Sequence, residues 1–126
     1  SILRVNTLTD ASSNNSTAMS TINQGTAKAW VNFNGQGTIA ARDSFNVASL
    51  TDNGNGDYTI TFSNNMENAN YIINGTGEQL SSNDSIVVNK DYSTAYTTSA
   101  ARIAVTQGST RTNPVYANFS NHGDLA

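Results

Sequence analysis

Asp52-Asn53-Gly54-Asn55-Gly56-Asp57-Tyr58-Thr59-Ile60-Thr61-Phe62 decides the fold class. Asn-Gly after Asp favours the positive φ that a tight hairpin needs. The residues that follow alternate strictly. Tyr58, Ile60 and Phe62 share one face, and Asp57, Thr59 and Thr61 share the other, which is the period of a strand with one face buried. The pattern predicts a hairpin over about Ser44–Ser63. Phe45, Val47 and Leu50 are the core candidates of its first arm.

Upstream, Ala27–Asn34 alternates in the same way. Ala27, Ala29, Val31 and Phe33 lie on one face, and Lys28, Trp30, Asn32 and Asn34 on the other. Trp30 is the sole tryptophan and sits among polar neighbours. It is either an oligomer contact or is covered by a second sheet. Gly35-Gln36-Gly37 makes a turn, Thr38–Ala41 a short strand, and Arg42-Asp43 either a bracing ion pair or solvated loop charge. Downstream, strands are expected at Tyr71–Asn74, Ser85–Asn89, Arg102–Thr106 and Val115–Ser120. The connection from Gly75 to Asp84 reads as polar loop and Asn121–Ala126 as a frayed tail. No stretch of twelve or more residues carries a helical period. About seven to nine short strands at roughly ten-residue spacing predict an all-β fold, a small antiparallel β-sandwich.

The start of the chain differs. Ile2-Leu3-Arg4-Val5 is apolar in alternate places, and Thr9–Thr17 has no apolar period. This predicts an extended N-terminal arm with a polar linker, residues 1–23, before a sandwich domain at residues 24–126. Ile2, Leu3 and Val5 either find a partner, as oligomer or anchor contacts, or fold back on their own domain. Ser1 is the kind of small residue that initiator-Met removal leaves; a fragment of a longer fibre is the alternative. Arg4 follows Ile2-Leu3 at once, so the start lacks the apolar core of a secretory signal.

Composition narrows the function. Among 126 residues, apolar types make up 37% and charged types 12%. Both are lower than usual for globular domains, at about 45–50% (a count that includes Gly) and about 25%. Asn, Ser and Thr fill the gap, which favours assembly or contact with neutral surfaces such as glycans. The net charge of -3 and six scattered Lys and Arg argue against nucleic-acid binding. No run approaches the length of a membrane span. Without cysteine there is neither a disulfide nor a thiolate metal site.

Catalytic signals are weak. The single histidine, His122, stands near the C-terminus, where the positioning that a nucleophilic triad requires is seldom supplied. The Asp residues mostly neighbour Asn, Gly or Ser and read as turn formers. A calcium loop starting at Asp52 would place Gly54 and Gly56 at liganding positions and Ser63 where a glutamate belongs. Gly75-Thr76-Gly77 lacks the Lys-Ser/Thr of a phosphate loop. The expectation is no enzyme, no metal and no cofactor. Tyr92 and Tyr96, amid Ser, Thr and Ala, are candidate host-ligand contacts.

The blocks Ala27–Gly35, Gly37-Thr38, Arg42–Val47, Thr51–Gly54 and Gly56–Thr59, with the opening Leu3–Leu8 and Asp10-Ala11-Ser12, resemble a module of tail-fibre-like and other virion structural proteins of marine phages, especially those infecting cyanobacteria. The resemblance covers about Leu3–Phe62. It implies a place on the outer surface of a phage particle, contributing to host-surface attachment or appendage assembly, with other virion structural proteins as neighbours. A capsid decoration protein that stabilises the shell is one alternative, and a carbohydrate-binding module facing a host cell-surface glycan is another. The lean core and the apolar residues outside it point to a homo-oligomer, expected to be a homotrimer.

Overall fold

The computed structural model describes residues 1–78 and 85–126. Its elements are β1 (Thr7–Thr9), β2 (Ser16–Ala18), α1 (Met19–Gly25), β3 (Ala29–Asn34), β4 (Ala40–Phe45), β5 (Val47–Gly54), β6 (Asp57–Phe62), β7 (Ile72–Gly77), β8 (Ile86–Lys90), β9 (Ala100–Gln107), β10 (Thr110–Arg111) and β11 (Ala117–His122). The fold is all-β. One sheet runs β4-β3-β11-β7; in the other, β6 lies between β5 and β9, and β9 also pairs with β8 and β10. Every pairing is antiparallel.

The two sheets bury their inward residues against each other. Ala29, Val31 and Phe33 of β3 and Ala117 and Phe119 of β11 meet Tyr58, Ile60 and Phe62 of β6 and Ala101, Ile103 and Val105 of β9. Aromatic rings bridge the layers. Phe33 meets Tyr58 edge-on at 5.0 Å, and Phe62 stacks over Phe119 at 6.4 Å. The Tyr58 hydroxyl lies 2.9 Å from the Gly35 carbonyl and 2.8 Å from Asn113 Oδ1, so this large side chain is buried with its polar end satisfied. Burial pushes its phenol up to about 12.

The β5–β6 hairpin forms around Asn55 as the alternation predicts. Gly56 has φ +61°, and a Cβ there would overlap the Val105 carbonyl and the Thr112 backbone. Only glycine serves at that turn. The first arm starts at Val47 rather than Ser44, because the chain changes sheets at Asn46. This residue adopts φ +56°, which asparagine tolerates better than most side chains. Its carboxamide fixes the corner. Nδ2 donates to the carbonyls of Lys28 (3.0 Å) and Asn64 (3.1 Å), and Oδ1 accepts the Asn64 backbone N–H (2.7 Å).

The corner corrects one core assignment. Phe45 ends β4 facing outward beside Trp30 and is 52% exposed, whereas Val47 and Leu50 pack against the core as expected. Arg42 and Asp43 lie within β4, and neither braces the other. Arg42 donates to Asn32 Oδ1 and the Val115 carbonyl and lies 3.8 Å over the Tyr116 ring; Asp43 accepts the Ser44 N–H.

Gly75-Thr76-Gly77 belongs to strand β7 and not to a loop. A Cβ on Gly75 would collide with Val88, and one on Gly77 with Ile86. Glycine lets β8 of one sheet lie close on β7 of the other. The rest of the expected Gly75–Asp84 connection, residues 79–84, lies outside the described residues. The C-terminus is tied down and not frayed. Asn121 and His122 complete β11, Leu125 bridges Met66, and Ala126 N–H donates to the Asn65 carbonyl.

Candidate functional site

Residues 10–15 form an ordered turn between β1 and β2, not an unstructured linker. The Asp10 carboxylate accepts the N–H groups of Ser12 (3.1 Å) and Asn14 (3.0 Å) and the Asn15 side chain (2.7 Å). That local bonding lets a polar run without apolar period close the β1–β2 hairpin. The Asn15 carboxamide, followed by the Asn14 N–H, holds the Asp10 carboxyl below the usual carboxylate range. Helix α1 follows and buries none of its residues. Lys28 anchors the arm to the sandwich. Its Nζ donates to the carbonyls of Asn23 and Thr26, and Gln24 reaches Asp124.

On this tethered arm Ile2 (80%), Leu3 (81%), Val5 and Leu8 are exposed. β4 and β5 are edge strands of opposite sheets, and a groove of about 290 Å³ runs between them. Its lining combines Ile39, Ala41, Val47 and Leu50 with Ser44 and Ser49.

An ionic cluster that sequence reasoning missed covers the outer face of the five-stranded sheet. Arg102 grips Asp57 with two hydrogen bonds of 2.8 and 2.7 Å; Arg111 lies 3.2 Å from Asp57 and 2.6 Å from Asp91. Asp91 also accepts the backbone and hydroxyl of Ser93. Arg102 holds the Asp57 carboxyl below its ordinary value, and the Ser93 hydroxyl, then Arg111, hold Asp91 well below it. Carboxylates kept ionised in this way are poor proton carriers near neutral pH, so the cluster acts as a brace. Asp57 stands 45 residues from Arg102, and the pairing of β9 with β6, β8 and β10 collects the four side chains.

The outer face of the four-stranded sheet is built differently. Outward positions in register form one row, Phe45, Trp30, Ser120 and Asn74, and a second, Asp43, Asn32, Asn118 and Thr76. Trp30 is 37% exposed, on the sheet's outer side, with no second sheet over it among the described residues. Asn118 Nδ2 donates to Thr76 Oγ1 at 3.0 Å. A shallow depression of about 340 Å³ lies over Asn74, Thr76, Asn118 and Ser120.

Tyr92 and Tyr96 do not form one platform. Tyr92 is 91% exposed, while Tyr96 stacks on Tyr71 at 5.0 Å against the core, with Lys90 Nζ 5.6 Å from its ring centre. Their spacing in the chain gave no hint of that separation. His122 carries a buried Nδ1 without a hydrogen-bond partner among the described residues. Among those residues no group of three or more His, Asp or Glu is placed to hold a metal ion, and no helix is long and apolar enough to cross a membrane. No protein-family model, curated protein or solved structure matches the chain.

Proposed function

We propose that the chain is a structural component of the outer surface of a bacteriophage particle, tail-fibre-like or knob-like, that assembles as a homotrimer and contributes to host-surface attachment or appendage building. One observation carries this reading: the same chain presents the exposed apolar side chains Ile2, Leu3, Val5 and Leu8 on its N-terminal arm and an open groove between the edge strands β4 and β5, floored by the half-buried Ile39, Val47 and Leu50 and lined also by Ser44 and Ser49. Exposed apolar surface of this kind marks an interaction site. A strand added along a free sheet edge gains main-chain hydrogen bonds and side-chain burial together. The arm of one copy seated in the groove of the next is a head-to-tail contact, which closes into a ring when the rotation permits. The resemblance of Leu3–Phe62 to phage virion modules supplies the setting. The role is passive, and the ion-paired carboxylates serve stability.

Sedimentation equilibrium at micromolar concentration tests the assembly. The expected mass is three times the 13.3 kDa of one chain. Replacing Ile2, Leu3 and Val5 together with Asp is expected to give a monomer with an unchanged β-type circular dichroism spectrum. A monomeric unmodified chain would overturn the reading.

A further inference from the structure

The two-row face of β4-β3-β11-β7 makes no contribution to the core and is not needed for assembly through the arm. We infer that it is a binding site for a neutral oligosaccharide, presented by a bacterial surface polysaccharide. The inference rests on the attachment reading for the source of the glycan, and on the face itself for the chemistry.

The register places Trp30 and Phe45 side by side on adjacent strands, both pointing outward. Among the described residues neither ring stacks on another ring. An aromatic face carries a negative quadrupole, which suits the weakly positive C–H bonds of a pyranose ring. Beyond the platform come neutral groups, Ser120 and Asn74 in one row, Asn32, Asn118 and Thr76 in the other. Carboxamides and hydroxyls both donate and accept, as sugar hydroxyls do. The Asn118–Thr76 bond fixes the carboxamide at the rim of the depression. An apolar platform with a few oriented polar groups is the composition of a small-ligand site.

Charge complementarity selects a neutral ligand. The Arg42 guanidinium is engaged by Asn32, the Val115 carbonyl and the Tyr116 ring, and Asp43 at the edge accepts the Ser44 N–H. Arg42 and Asp43 lie exposed side by side on β4, so their opposite charges leave this edge without a net charge that would select a charged sugar. A second copy fits less well. A dry protein interface over this face would bury rows of amides without assured partners, at a cost of roughly 1–3 kcal/mol for each one left unpaired. Four strands at about 4.8 Å spacing span about 14 Å, room for a short oligosaccharide.

Trp30 is the only tryptophan, so the emission of the full chain reports this face alone. The test titrates it with a neutral bacterial O-polysaccharide, an acidic capsular polysaccharide and a plant β-glucan. The neutral bacterial polymer is expected to shift the emission saturably. Affinity electrophoresis through the same polymer reads the variants. Trp30→Ala is expected to weaken retention by about tenfold or more and Trp30→Phe to keep most of it, since the effect is aromatic. Asn118→Ala is expected to weaken it by about threefold, about 0.6 kcal/mol. Silence of Trp30 toward all three polymers, a response only to the acidic one or only to the plant glucan, or retention indifferent to Trp30→Ala would overturn the inference. So would a fall in sedimentation mass on Trp30→Ala, which would make the face a copy–copy interface. Sedimentation of the same samples separates the two readings. A monomer that binds the polymer keeps this inference and removes the assembly; a trimer that ignores it does the reverse.

Discussion

On the outer face of β6 and β9, Asp57, Arg102, Arg111 and Asp91 satisfy one another. On the outer face of β3 and β11, Trp30, Asn32, Asn118 and Ser120 look toward solvent with little charge among them. Both faces cover the same core, and their strands alternate in the same way. The difference teaches where this chain keeps its few charges. One face uses four of them to hold its own strands together; the other has Arg42 and Asp43 on its β4 edge strand and neutral groups along β3 and β11.

The comparison can be broken by substitution. The largest effect belongs to the core that both faces share. Phe119 is inward on β11 and 2% exposed, so Phe119→Ala is expected to destabilise by about 3–5 kcal/mol in chemical denaturation. A loss below about 1 kcal/mol would mean that the sheets are not packed face to face.

Next comes the braced face. Asp57→Ala leaves Arg102 without its bidentate partner and removes one of the two carboxylates at Arg111. Both guanidiniums are about one-third exposed, which discounts the effect to about 2 kcal/mol. The brace also sets the acid response. The folded-state values of Asp57 and Asp91 lie below the unfolded value of about 3.9. Their stabilisation is therefore fully present above that value and is lost as pH falls through the folded values. Thermal midpoints measured from pH 6 downward are expected to fall steeply below about pH 4, and less steeply in Asp57→Asn. An identical slope in the variant would show that the cluster does not couple to folding.

The smallest effect is expected on the open face. Trp30→Ala removes a large side chain that is partly covered beside Phe45, and stability is expected to fall by about 1 kcal/mol, less than in Asp57→Ala. A loss as large as that of Asp57→Ala would erase the distinction between the faces.

Much of the sandwich was legible because strand alternation is local. Ala29, Val31 and Phe33, and Tyr58, Ile60 and Phe62, announce their buried faces within a few residues, and the run from Asp52 to Asp57 announces the turn that forms at Asn55-Gly56. Features that depend on distant neighbours were not legible. Phe45 reads as core until the left-handed Asn46 is seen to turn the chain between sheets. Gly75 and Gly77 read as loop until Val88 and Ile86 are seen lying on them. Arg102 and Asp57 stand 45 residues apart, with nothing local to join them. Of the site residues, the sequence left open whether Ile2, Leu3 and Val5 fold back on their own domain, and in the structure they stay exposed. The burial of Tyr96 against Tyr71 does not follow from its polar neighbours.

The claim that the arm of one copy occupies the groove of another has a direct test, because the chain has no cysteine of its own. Chains carrying Val5→Cys are mixed with chains carrying Ala41→Cys and oxidised, so that a disulfide joining the two kinds of chain can only be intermolecular. The account predicts rapid, high-yield formation of the mixed species, with little of either self-linked product. Absence of the mixed species, with both variants folded, would contradict it.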